Sequence, residues 1–298
     1  MTTSRKVFIY QGAGVGPLST ADLNSLFTTS KDIFPSRPDV TLRNFDFNMD
    51  DLTDPVFVVP GGSTSLIGNK LKSQMDKVKI HFKENFSYVG ICAGAFLGAP
   101  DADLFVTTHR LSKENSKKFE PAKPFSSTKK LGIALNMIDD YQAFGAFYPD
   151  DSHLNAPPKE LMPYRVTLSF VQSKRELSQL YIAGPAFIPS EEKQSSEIVA
   201  TYVNHKNYTL YSNGKYQPNK PLTAIVRKQF EKKQGGIFLA ATHIETCVPD
   251  SKLLTLFNQN SIKNAALDKE DYDLLIKEQK DTRTQIECLL QESLKLRS

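Results

Sequence analysis

Three short, wholly apolar or nearly apolar runs, each closed by small residues, constrain this chain more than any other feature. Val7-Phe8-Ile9-Tyr10 leads into Gly12, Gly14 and Gly16. Val56-Phe57-Val58-Val59 stops at Pro60-Gly61-Gly62. Phe86 to Ile91 runs into Cys92-Ala93-Gly94-Ala95-Phe96. Runs of this length bounded by turn residues read as buried strands. A fourth strand is expected from Val40 to Phe45. Between the strands lie segments with helical spacing. Residues 18–29 place Leu18, Leu23, Leu26 and Phe27 on one face, and residues 64–84 do the same with Leu66, Leu71, Met75, Val78 and Phe82. Alternating strands and helices imply parallel pairing, because parallel strands need crossover connections. Uniformly apolar strands fit a sheet covered on both faces. The expected fold is α/β, with a flavodoxin-like central parallel sheet. In such sheets ligands bind beyond the carboxyl ends of the strands, the edge to which all three small-residue loops belong.

From about residue 164 the chain turns β-rich. Arg165–Val171 and Leu177–Ala183 read as a hairpin. Ala200–Asn204 and Tyr208–Ser212 read as another, with Asn213-Gly214 as a turn, and Leu222–Lys228 and Ile237–Ala241 as a third pair. These are the additional antiparallel strands of the expected fold. A final helix is expected over 266–296, its apolar stripe of Tyr272, Leu275, Ile286, Leu289 and Leu290 interrupted by Gln279 and Thr282. This helix packs on the domain or carries a protein partner or a second copy. The expected organisation is one α/β domain over 1–250 and a C-terminal helical extension over 251–298.

With 298 residues, 40% of them hydrophobic, the chain has enough apolar material for a substantial core. Lys and Arg number 37 against 33 Asp and Glu, a surplus of four, which does not argue for nucleic acid or an anionic membrane surface as partner. No run approaches the ~18 apolar residues of a membrane span. Cys92, Cys247 and Cys288 are too widely spaced for a disulfide framework or a zinc site, and five scattered histidines form no ligand cluster. The reading is of a reduced, cytoplasmic-type protein that calls for no metal and no cofactor.

Gly90-Ile91-Cys92-Ala93-Gly94 has the form of a nucleophile elbow. Small flanking residues let the chain turn sharply and project the side chain at the carboxyl edge of the sheet. The following helix directs its N-terminus at the sulfur, which favours a thiolate. A buried cysteine in a glycine-rich strand end is the alternative. His243-Ile244-Glu245 follows the last apolar strand. Residues i and i+2 at a strand end share a side, which lets His243 face Cys92 while Glu245 steadies its ring, the arrangement of a catalytic triad. The glycine loop at 12–16 reads as a tight turn beside this edge, with Gln11 available to a ligand. Cys247 is either a resolving thiol for Cys92 or a passive residue.

Together these motifs resemble class I glutamine amidotransferases, and more closely the amidotransferase-like N-terminal domain of eukaryotic biotin–protein ligases and its stand-alone relatives. The resemblance is carried by Val7 to Gly14 with Pro17-Leu18-Ser19, by Val59 to Gly62, by Tyr88 to Phe96 and by Leu239 to Glu245, with Gly184-Pro185-Ala186-Phe187 as a fifth match. It implies Cys92 as nucleophile, His243 as base and acid, Glu245 as orienter, backbone N–H groups of Gly62 and Ala93 as an oxyanion hole, and Gln11, Gly61 and Phe96 at the substrate. Two positions depart from the amidotransferase pattern. Phe96 stands where a glutamine is usual, and Ile244 stands where a proline is usual. No biotinyl-adenylate loop of the G-R-G-R-x-G form is present, so biotin transfer is not implied. Three functions stay open: a thiol hydrolase or amidotransferase-like enzyme acting on a small amide or acyl substrate, a degenerate relative that binds a small metabolite, and a protein-interaction module using the polar loop at 112–130 or the C-terminal helix.

Overall fold

The computed structural model describes residues 6–30, 39–43, 50, 52–104, 126–144, 147–149, 163–182, 184–189, 195–203, 208–210, 222–230, 235–264, 267 and 269–294. In chain order the elements are β1 (Lys6–Tyr10), α1 (Pro17–Thr29), β2 (Asp39–Arg43), β3 (Val56–Val59), α2 (Thr64–Phe82), β4 (Ser87–Ile91), α3 (Ala93–Gly98), β5 (Asp103–Leu104), β6 (Ser126–Ser127), β7 (Tyr141–Phe144) and β8 (Phe147–Pro149). Then follow β9 (Tyr164–Phe170), β10 (Glu176–Tyr181), β11 (Ala186–Pro189), β12 (Glu197–Tyr202), β13 (Tyr208–Leu210), β14 (Thr223–Gln229), β15 (Gly236–Ala240), a single 3-10 turn (Ile244–Cys247), α4 (Lys252–Asn264) and α5 (Lys269–Ser293).

The main sheet runs β10-β9-β12-β14-β15-β4-β3-β1-β2. Its five strands β2-β1-β3-β4-β15 pair in parallel. Numbered among themselves they follow the order 2-1-3-4-5 of flavodoxin-like sheets. The fold is therefore α/β with that central sheet, and β14, β12, β9 and β10 extend it by antiparallel pairing. The parallel strands carry side chains buried on both faces, as their unbroken apolar runs require. Helices α1, α4 and α5 pack together on one face, and α2 packs with α3 on the other.

Two local expectations are corrected. Ala200–Asn204 and Tyr208–Ser212 do not form a hairpin. β12 pairs with β9 and β14, and β13 pairs with β8. An interior slot gives β12 a hydrogen-bonded strand on each side, which a terminal hairpin would not. On α2, Leu66 is exposed and Ile67 and Gly68 take the buried positions. Gly68 lies tight against Leu97 and Ile133, so a small residue lets α2 approach α3. The polar loop at 112–125, the Asn213-Gly214 turn, and His109, His153 and His205 lie outside the described residues.

The far edge of the antiparallel half meets the carboxyl edge of the parallel half. β12 carries register shifts between Ile198 and Ala200 and between Ala200 and Thr201. Bulges of this kind bend a strand and increase its twist. The end of the edge strand β10 thereby reaches the carboxyl edge of the parallel sheet, where Leu180 O accepts a hydrogen bond from His243 N at 2.8 Å. α5 is docked along its length. Leu275, Ile286, Leu289 and Leu290 are buried, and Arg165–Asp271, Arg175–Asp281 and Arg227–Glu292 tie it to the sheet. Among the described residues no helix is long and apolar enough to cross a membrane.

Candidate active site

The turn at Cys92 shows why its neighbours are glycines. A Cβ on Gly90 would stand 2.5 Å from Gly94 O, and one on Gly94 would stand 2.1 Å from Val59 O. Neither position accepts a side chain while β4 turns directly into α3. Cys92 itself sits at φ 49°, ψ −102°, a conformation that costs an L-residue roughly 1–3 kcal/mol. Two bonds hold this geometry: Cys92 N donates to Ala240 O at 2.9 Å, and the buried Tyr88 hydroxyl donates to Gly94 O at 2.8 Å. The strain puts the sulfur at the start of α3, beyond the end of β4.

β15 lies beside β4, with Ala240 opposite Ile91, so the residues after Ala240 arrive next to Cys92. The strand ends there. Ile244–Cys247 forms a 3-10 turn, closed by Thr246 N and Oγ1 donating to His243 O at 3.1 and 2.7 Å. His243 and Glu245 are thus brought together by a turn, not by shared sidedness on a strand. His243 Nδ1 lies 2.8 Å from Glu245 Oε1. That leaves Nε2 as the ring nitrogen for Cys92, which borders the same spot beside Gly61 as the ring and favours its charged form. Cys92 Sγ also lies 3.4 Å from Ile182 O at the end of β10.

All three side chains are buried, with Glu245 wholly so. Burial disfavours a charged ring at His243, but Glu245 and then Cys92 outweigh it and push His243 up to about 10. The ring therefore carries a proton at neutral pH. Glu245 Oε1 accepts a second hydrogen bond, from Ser19 Oγ of α1 at 2.5 Å, while Oε2 is buried without a hydrogen-bond partner among the described residues. Gln279 of α5 secures the turn from below, its Nε2 donating to Thr246 O at 2.9 Å and Val248 O at 2.6 Å.

The glycine loops supply the other wall. Val15 and Gly62 form an isolated antiparallel bridge, flanked by Gly16 N to Gly61 O at 3.3 Å and Ser63 N to Gly14 O at 2.7 Å. Those bonds use the neighbours of Gly62 and leave its own N–H outside the pairing. Gly62 has φ +148° and no room for a Cβ, which would meet Gly14 O at 2.1 Å. Ala93 is the first residue of α3, where a backbone N–H has no intrahelical acceptor. Gly61 is buried against His243 and Cys92. A Cβ there would stand 2.6 Å from His243 Cε1 and 3.4 Å from Cys92 Cβ. Gln11 is exposed just past β1, and Phe96 is buried within the core cluster on α3. Cys247 is buried, and its burial holds the thiol in the protonated form. Among the described residues no group of three or more His, Cys, Asp or Glu is placed to hold a metal ion.

The pattern reading missed Ser19, Gln279 and the Ile182 carbonyl. Ser19 belongs to the Pro17-Leu18-Ser19 stretch, and Gln279 breaks the apolar stripe of α5. Those were the only signals either offered.

No family model matches the chain, and no curated protein matches it. Among solved structures the chain is similar to a glutamine amidotransferase, at 13% identity and a TM-score of 0.45, over 85% of this chain and 97% of that one. A ThuA-like protein from Bacteroides uniformis gives 12% identity and 0.43, over 87% and 91%. The glutaminase domain of Trypanosoma brucei CTPS with bound acivicin gives 10% and 0.41, over 82% and 86%. Each likeness is distant, and the chemistry of the site rests on its own geometry.

Proposed function

We propose that the chain is a cysteine-nucleophile hydrolase of amidotransferase-like type, acting on a small amide or related acyl substrate, and akin to the amidotransferase-like domain of biotin–protein ligases without their ligase activity. One observation carries the reading: a cysteine held in a strained turn at a helix N-terminus lies beside a buried histidine whose Nδ1 is fixed by a buried glutamate. A passive buried cysteine needs none of these three features.

In this reading the Cys92 proton already rests on His243 Nε2, and the sulfur, as thiolate, attacks the substrate carbonyl carbon. The carbonyl oxygen takes up the electron pair and is held by the N–H groups of Gly62 and Ala93. The intermediate collapses as His243 gives its proton to the leaving nitrogen or oxygen, which departs as amine or alcohol. A water then loses a proton to His243 and attacks the thioester, the C–S bond breaks to release the acid, and the thiolate is left beside the protonated ring. Glu245 keeps its charge throughout and stabilises the imidazolium. Such a site needs no metal or cofactor for this chemistry.

The test is the pH dependence of Cys92 alkylation by iodoacetamide, followed on the Cys92 peptide by mass spectrometry, in wild type and in His243→Ala. A rate at pH 7 that falls at least tenfold without His243 supports the reading and directs screening to primary amides, glutamine first. A rate indifferent to His243 removes the nucleophile and favours a metabolite-binding relative.

A further inference from the structure

Ser19 lies on α1, 226 residues from Glu245 in sequence, yet its hydroxyl is 2.5 Å from the carboxylate oxygen that holds His243. It is 3% exposed. We propose that Ser19 is a positioning residue of this site, setting the orientation of Glu245 and through it the hold of the carboxylate on the His243 ring. The inference rests on the reading of Cys92 and His243 above.

Three observations support it. First, the contact is selective. Glu245 Oε1 accepts both Ser19 Oγ and His243 Nδ1, while Oε2 has no hydrogen-bond partner among the described residues. A buried carboxylate with one bare oxygen is free to turn about its last bond unless the other oxygen is pinned from two directions. Ser19 supplies the second direction. Second, Ser19 is the third residue of α1, a helix of 13 residues begun by Pro17. The carboxylate therefore sits at the positive end of a helix, where its charge is favoured. Third, a negative neighbour works against that charge. The Asp22 carboxyl, one turn along α1, is close enough to Glu245 for the two to repel, and burial together with that repulsion raises Asp22. Asp22 spends its own acceptors on Ser251 Oγ and on the N–H groups of Lys252 and Leu253 at the start of α4. One face of α1 thus serves two acids in different ways: Asp22 caps α4, and Ser19 donates to Glu245.

Losing the hydroxyl leaves Glu245 with a single donor, His243, and releases its rotation. The imidazolium is then held less firmly, and less of the Cys92–His243 pair exists in the reactive form at neutral pH. The experiment is a pH profile of Cys92 alkylation by iodoacetamide on the full chain, read by mass spectrometry, for wild type, Ser19→Ala, Ser19→Thr, His243→Ala and Glu245→Gln. In Ser19→Ala the rate at pH 7 falls roughly tenfold, the scale of one charge-assisted hydrogen bond. The profile moves to higher pH, and the rates converge with wild type on the alkaline plateau. Ser19→Thr keeps the hydroxyl and recovers most of the rate. A role in packing alone leaves the profile of Ser19→Ala where it stands, and that result overturns the proposal. If the profile is unmoved in Ser19→Ala but moved in His243→Ala and Glu245→Gln, Ser19 alone is refuted. If none of the variants moves it, the Cys92–His243 reading fails and the proposal fails with it.

Discussion

The charge on Glu245 keeps a proton on His243, and removing that charge has a magnitude that follows from the structure. Burial works against the imidazolium, yet Glu245 and then Cys92 push His243 up to about 10 from its ordinary 6.5. At 1.36 kcal/mol per tenfold change in proton affinity, that span corresponds to about 5 kcal/mol favouring the charged ring. Glu245→Gln preserves the shape and keeps an oxygen to accept from Ser19 and His243, so it removes little besides the charge. Cys92 still favours the charged ring, but burial opposes it without the carboxylate, and His243 titrates well below its wild-type position. The assay is an NMR titration of histidine-labelled protein, with His243 assigned among five histidines by a His243→Asn spectrum. Stability carries the same signature. A histidine raised in the folded state stabilises the fold fully below pH 6.5, and this stabilisation is lost as pH rises towards about 10. Wild type should therefore lose stability across that window, while Glu245→Gln loses much less. A wild-type ring titrating near 6.5, or a Glu245→Gln ring within about one pH unit of wild type, refutes the reasoning.

Three further outcomes are expected. In Gly94→Ala the added carbon meets the Val59 carbonyl at 2.1 Å, backbone against backbone. The variant should lose about 3 kcal/mol or more by urea denaturation, together with His243-dependent alkylation of Cys92. Gln279→Ala leaves the carbonyls of Thr246 and Val248 without their donor and should cost about 1–3 kcal/mol. Because those carbonyls belong to the turn that carries Glu245, Cys92 alkylation should fall as well, in a Gln279→Glu variant as in Gln279→Ala. Native-state labelling with a maleimide should modify the exposed Cys288 at once and spare Cys247 until guanidinium unfolds the chain, as peptide mapping would show.

The parallel sheet was legible because its information is local. Each apolar run ends in residues that a sharp turn demands: Gly90 is tight against its own turn, Gly94 against the end of β3 and Gly62 against the 12–16 loop. The β9–β10 and β14–β15 pairs were legible for the same reason, since their partners adjoin in sequence. β12 was not. Its alternation fits any antiparallel neighbour, and the choice of β9 and β14 over the adjacent β13 is made by the sheet as a whole. His243 and Glu245 were found as a pair, but the geometry joining them was not, because H-x-E spacing is equally compatible with a strand end and with a 3-10 turn.

Ser19 and Gln279 illustrate a different limit. A serine in the first turn of a helix is ordinary, and nothing within α1 distinguishes one that donates to a carboxylate 226 residues away. Gln279 did leave a mark, since it breaks the apolar stripe of α5 where an aliphatic residue would bury more surface. The structure supplies the reason for the break. α5 covers the back of the turn that carries Glu245, and two backbone carbonyls of that segment, Thr246 O and Val248 O, need a donor there. Leaving them unmet costs more than one aliphatic side chain returns. A polar residue in an otherwise apolar helix face is therefore evidence about the element beneath it. Here that element holds His243 and Glu245, so α5 takes part in the geometry of the site without contributing a group to the chemistry.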